Sequence, residues 1–298
     1  MTGMPLRSRS FHRSRSALWN AALGICAVLS LGSAQETKPA ENQAVSTPEA
    51  SPPMENKGQP MTLAFRCTAE DIRWAGLSCS EEDPCPIFLE LSSADSVGTR
   101  LIVTGNIHAE AETLYSVLLG SDDGGITWTE AYERIRGAGL DRIERLDAST
   151  VWISGQDLFP IPQNPFLLAS SDGGKSWDRK PVLNEAAENR FGSVQQFHFT
   201  DKNEGELIVD RGTGSGGDAT FALFETHDGG ESWQPKQESN KPLRLKQAAP
   251  AGDFRVRVEG ASHAYQIERR QGEKWTRIAS FSVKLEACKP PSAEIGGR

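Results

Sequence analysis

Three aspartates at matched positions are the first residues whose types and spacing suggest chemistry. Asp123, Asp172 and Asp228 each stand two places after a Ser or Thr, two before a Gly, four before a second Ser or Thr and five before a Trp. The three frames are Ser121, Asp123, Gly125, Thr127 and Trp128; Ser170, Asp172, Gly174, Ser176 and Trp177; and Thr226, Asp228, Gly230, Ser232 and Trp233. So many oxygens in one short stretch suggest either a hard cation or a tight turn. Calcium takes six or more oxygen ligands, and the frame has neither the further acidic positions nor the closing Glu that would supply them. A turn uses every position: Asp and hydroxyl oxygens accept from nearby backbone N–H groups, and Gly takes the left-handed conformation. The Trp adds a large apolar body with one N–H. No metal and no cofactor is assigned.

Apolar runs precede each frame, at residues 114–119, 166–169 and 221–224, so each frame reads as a hairpin turn between two strands. The aspartates lie 49 and 56 positions apart, which marks a repeat of strand, turn, strand, longer loop, strand, frame, strand. The first unit takes strands at 87–92, 100–104, 114–119 and 127–131. The second takes 141–146, 151–154, 166–169 and 176–179, and the third 194–199, 206–209, 219–225 and 232–235. A fourth, at 243–247, 254–258, 265–268 and 274–279, keeps Gly272 and Trp275 in frame but has Arg270 where the Asp belongs.

With the frame and its Trp present three times, the chain resembles the BNR or Asp-box repeat proteins. The resemblance implies that each box is the turn between the third and fourth strands of a β-propeller blade. It implies architecture more than activity, since sialidases, sortilin-type receptors and photosystem II assembly-factor propellers all carry the box. The expected fold is all-β, a small propeller of four to five four-stranded antiparallel blades. Seven blades of about 45 residues would need more than roughly 300. Two remaining pieces, 62–66 and 281–287, are expected to pair and form a shared closing blade from both ends.

Residues 1–34 read as a signal peptide, with Arg7, Arg9, Arg13 and Arg15, an apolar core over 17–31 and small residues at 32–34. The core is about 15 residues, below the roughly 20 that span a bilayer, so no transmembrane segment is expected after cleavage. Loss of the four arginines takes the net charge from −8 to −12. So acidic a chain, with no basic stripe, argues against a nucleic-acid partner. Residues 35–60, rich in Pro, Glu, Ala and Ser, are expected to be a disordered linker, 61–289 the propeller, and 290–298 a disordered tail. Four cysteines follow the signal, and an even count in an exported chain favours two disulfides among three possible pairings. The pairing adopted is Cys67 with Cys288 and Cys79 with Cys85. On the chain-entropy view the long loop is worth roughly 5 kcal/mol and the short one roughly 2.

In a four-stranded meander the frame turns share a face with the turns between first and second strands. The loops between second and third strands then share the opposite face, at 105–113, 155–165, 211–218 and 260–264. Recognition is expected there, with Asn106, His108, Gln156, Asp157, Asp210, Arg211 and His263 as candidate residues. The reading that follows is an exported, periplasmic or extracellular, non-enzymatic monomer whose loop face binds a protein or glycan partner in the cell envelope. The alternative is sialidase-like glycoside hydrolysis. Resemblance to sialidases would require a Tyr nucleophile backed by Glu, an acid/base Asp and three arginines. The family's Phe/Tyr-Arg-Ile-Pro motif is matched by Phe65 and Arg66 alone, and Tyr115, in a strand before a box, is expected far from the loop face.

Overall fold

Runs rich in Val, Ile, Leu and Phe set the strands, and the polar turn residues between them end each one. The computed structural model describes residues 52–183, 191–213, 219–247 and 252–290. Its first sheet is built from β1 (Met54–Glu55), β2 (Cys85–Val97), β3 (Arg100–His108), β4 (Thr113–Ser121) and β5 (Thr127–Glu130); a helix, α1 (Ala69–Trp74), lies between β1 and β2. The second sheet contains β6 (Ala138–Arg145), β7 (Val151–Asp157), β8 (Gln163–Ser170) and β9 (Asp178–Pro181). The third holds β10 (Ser193–Phe199), β11 (Gly205–Thr213), β12 (Ala219–Thr226) and β13 (Gln234–Ser239). The fourth has β14 (Phe254–Glu259), β15 (Ala264–Gln271) and β16 (Lys274–Ser282), after which β17 (Lys284–Cys288) returns to the first. Sheet I runs β1-β5-β4-β3-β2-β17, and the other three keep chain order, every named strand pair being antiparallel. The chain is thus nearly all β, in successive antiparallel sheets of the kind a β-propeller is made from.

Three apolar clusters join the sheets. Leu89, Leu119 and Trp128 of sheet I meet Ile267, Ala279 and Phe281 of sheet IV. Ile102 and Leu118 of sheet I meet Leu140, Ile153 and Phe166 of sheet II, with Trp177. Trp152 and Leu167 of sheet II meet Phe197, Phe199 and Leu207 of sheet III, against which Trp233 packs. Each frame Trp therefore lies in one of these inter-sheet clusters: Trp128 sits edge-on to Phe281 of sheet IV, Trp177 joins sheets I and II, and Trp233 packs on the cluster of sheets II and III, edge-on to Phe199 of its own sheet. No comparable apolar cluster joins sheets III and IV among the described residues.

The ends depart from expectation. Cys67 is bonded to Cys288 and Cys79 to Cys85, with Cα atoms 5.2 Å apart in both pairs. No shared closing blade forms around the first bond. Met61 makes a single parallel bridge to Phe281 on β16, residues 62–66 form no strand, and β17 adds to the free edge of β2. The linker boundary also shifts. Met54 and Glu55 pair with Trp128 and Thr127 of β5, an edge whose backbone groups would otherwise be open. Beyond them, Asn56 Nδ2 donates to Gly125 O at 3.0 Å and Ile278 O at 2.7 Å. Residues 243–247 form no strand, so sheet IV has three strands where four were expected; apolar alternation there found no neighbouring backbone to pair with. The signal peptide and the first part of the linker lie outside the described residues, as do 214–218 of the third loop and 291–298 of the tail.

Candidate functional site

The frame turns are self-contained. Asp123 accepts the Ser121 hydroxyl at 2.9 Å and the Ile126 and Thr127 N–H groups at 3.0 and 2.9 Å, together with the Thr127 hydroxyl. Asp172 and Asp228 repeat the pattern with Ser176 and Ser232, whose hydroxyls donate at 2.6 and 2.5 Å. In each turn the Gly N–H at the left-handed position donates back to the first hydroxyl, at 2.9 to 3.0 Å. The Thr127 hydroxyl and then its N–H hold the Asp123 carboxyl at about 2, and the Ser232 hydroxyl and then its N–H hold Asp228 at about 2. With their lone pairs spent inside the turn, these carboxylates serve architecture.

The opposite ends of the strands carry the candidate residues. Asn106 on β3 and Gln156 on β7 come together around Gly139 of β6: Gln156 is its cross-strand partner, and a Cβ on Gly139 would lie 3.6 Å from Asn106 Nδ2. Gln156 Nε2 donates to Asp141 Oδ2 at 2.8 Å, and Glu90 of β2 pairs across the strands with Asn106. Burial pushes the Asp141 carboxyl up, against the bond from Gln156, and the Glu90 charge pushes the same way as burial. The amide oxygens of Asn106 and Gln156 are buried without a hydrogen-bond partner among the described residues. Two carboxylates and two unsatisfied acceptors thus stand at one place where sheets I and II meet, which suits a ligand rich in N–H or O–H donors.

The remaining five stand apart from that pair. Asp157 accepts from Asn164 Nδ2 at 2.9 Å and Arg179 Nη2 at 3.1 Å; it lines an opening of about 350 Å³ with Phe166, on whose ring Arg179 stacks at 4.0 Å. Asp210 accepts the Gly212 N–H at 2.8 Å, and Arg211 lies over the Phe224 ring at 5.8 Å. The His108 ring lies tilted against Phe88, centroids 5.6 Å apart, with Nδ1 2.6 Å from Ala109 O. His263, with φ of 47°, sits in the β14–β15 turn, where its carbonyl accepts the Val283 N–H at 3.0 Å. Glu90 and Asp141 escaped the sequence reading because they sit inside strands; Glu90, a single acid between Leu89 and Leu91, carried a signal, whereas Asp141 lies beside Arg142 and reads as an ordinary charged strand position.

Tyr115 is not far from the loop side. It lies early in β4, paired with Ile107, and its hydroxyl donates to Asp71 Oδ1 of α1 at 2.5 Å while accepting from Arg136 at 2.9 Å. The helix begins in a capping box, Thr68 and Asp71 each bonding the other's backbone N–H. Trp74 at its end packs on Phe159 at 4.8 Å and closes over Gly137, where a Cβ would lie 2.5 Å from the indole. Burial, then Asp71, raise the Tyr115 phenol. Burial also raises Tyr132 and Tyr265. Among the described residues no group of three or more His, Cys, Asp or Glu is placed to hold a metal, and no helix is long and apolar enough to cross a membrane.

No protein-family model and no curated protein matches the sequence. Among solved structures, YCF48 from Cyanidioschyzon merolae is 14% identical, with a TM-score of 0.33 over 74% of this chain and 55% of that one. The GH74 xyloglucanase from Xanthomonas campestris is 13% identical at 0.34, over 63% of this chain and 28% of its own. The Penicillium chrysogenum alpha-L-arabinanase complexed with arabinobiose is 17% identical at 0.32, over 67% and 62%. The chain spans little more than half of YCF48 and less of the xyloglucanase, and likeness of this degree assigns it to none of these families.

Proposed function

We propose that this chain is an exported Asp-box β-propeller of four blades, the fourth incomplete, that works without catalysis by binding a protein partner through its loop face. The observation that carries the reading is an exposed apolar pair at the loop end of sheet II. Ile161 is 51% exposed and Phe191 40%. A bridge from Gln163 to Phe191 and a bond from Gly192 N–H to Pro162 O at 3.0 Å hold the two segments together, beside Asp157 and Arg179. Apolar side chains held in a fixed loop and rimmed by an ion pair mark a protein interaction surface. The acceptor-rich group around Asn106, Gln156, Asp141 and Glu90 would supply polar recognition next to it.

Two points speak for binding over hydrolysis. A nucleophilic tyrosine must lose its proton readily, and all three tyrosines with a shifted phenol are raised. The Tyr115 hydroxyl is also already engaged with Asp71 and Arg136, which tie α1 to sheet I. The test is capture from a cell-envelope extract by the purified chain and by the Ile161→Asp, Phe191→Ser double variant. Loss of one discrete partner with the variant supports the reading. Equal capture by both, or release of sugar from a sialoside by the wild type, overturns it.

A further inference from the structure

Sheet IV lacks the strand that β6 and β10 supply at the first edge of sheets II and III, so β14 is itself an edge. The residues that the repeat pattern assigns to that place, 243–247, run along sheet III, where Leu245 N–H bonds Gln196 Oε1 at 3.2 Å. Along Phe254–Glu259 the backbone groups pointing away from β15 meet no hydrogen-bond partner among the described residues. Such an edge is a template for another strand.

The side chains beside it say what kind. On one face Phe254 and Val256 pack onto the core shared with sheet I, and Val258, next in line, is left 59% exposed. On the other face Arg255 and Arg257 lie 2.6 and 3.6 Å from Glu268, and Arg255 covers the Trp275 ring at 4.2 Å. Residues 254–282 hold six Lys and Arg against three Glu, a basic island in a chain of net charge −8.

We propose that the open edge of β14 is the docking site for an extended polypeptide segment of another protein in which apolar and acidic residues alternate. The added strand takes up the free backbone groups of β14, its apolar side chains extend the Phe254–Val256–Val258 row, and its carboxylates face Arg255 and Arg257. Backbone pairing supplies affinity, and charge selects acidic segments over basic ones.

The experiment uses the full chain and a labelled synthetic peptide of alternating valine and glutamate, about eight residues long. Fluorescence anisotropy reports binding, and amide hydrogen exchange reports where. The expected result is saturable binding that slows exchange of the 254–259 amides by about tenfold or more. Val258→Asp and Arg257→Glu should each weaken binding by about tenfold, and Val258→Asp changes an exposed side chain that the fold does not need. The Ile161→Asp, Phe191→Ser variant should bind the peptide undiminished, which separates this edge from the loop face. Absence of binding, equal binding of a valine–lysine peptide, or binding that leaves the 254–259 amides unprotected would overturn the proposal.

Discussion

The junction of sheets II and III and the Arg255–Arg257 face of sheet IV are built by opposite rules. At the first, Trp152 stacks flat on Phe199 at 3.7 Å, Trp233 meets the same ring edge-on, and Leu167, Leu207 and Val209 fill the space around them. On the second, Arg255 and Arg257 reach Glu268, and Trp275 lies under a guanidinium where Trp128 and Trp177 lie in cores. The difference shows how the sheets are held. Apolar burial joins sheet IV to I, I to II and II to III, this face of sheet IV is left polar, and the terminal segments are secured on sheet I by β1, β17 and the Cys67–Cys288 bond.

The largest effect that would sharpen this contrast comes from that bond. Replacing Cys67 and Cys288 with serine should cost about 5 kcal/mol on the chain-entropy scale, because the loop it closes is so long. A urea midpoint that hardly moves would mean the strand additions alone hold the ends. Next comes Phe199→Ala, expected to cost about 3 to 5 kcal/mol as a large buried ring is lost. The same assay on Arg257→Ala, on the polar face of sheet IV, should show a change within about 0.5 kcal/mol, so similar losses for the two would break the comparison.

Between these in scale lies acid. Asp123, Asp172 and Asp228 are all held low, first by the hydroxyl at the end of their turn. A depressed carboxyl contributes stability above its unfolded pKa, near 4, and loses it as pH falls through the folded value, about 2 for Asp123 and Asp228. Glu144, raised mainly by burial, runs in the other direction. Unfolding midpoints of the wild type and Asp123→Asn should therefore converge between about pH 4 and pH 2; a constant gap across that range would remove the turn carboxylate as the cause.

What could be read without coordinates was what local chemistry decides. The three turns follow from hydrogen bonds spanning four residues, and their tryptophans from bulk that must be buried somewhere. The cysteine pairing followed from parity and from the need to join two ends. Residues 243–247 show the limit: their alternation fits a strand, but a strand also needs a backbone partner, and that depends on where sheet III ends. Helix α1 had its signal in Thr68 and Asp71, a capping box three residues apart that went unread amid strand patterns. For the site, two candidates out of seven meet, since loop membership places a side chain on a face without saying which neighbours share it. Glu90 and Asp141 were passed over because strand interiors are searched for packing.

The placement of the frame tryptophans has a consequence for the order of events in synthesis. Trp177 and Trp233 lean on sheets made before their own, so each finds its ledge waiting. Trp128 leans on Phe281, which follows it in the chain by 153 residues. A chain that emerges amino end first completes its second and third sheets while the first is still unfinished. The first sheet is thus sealed after the second and third, and until β16 arrives its tryptophan is a hydrophobic ring without its cover.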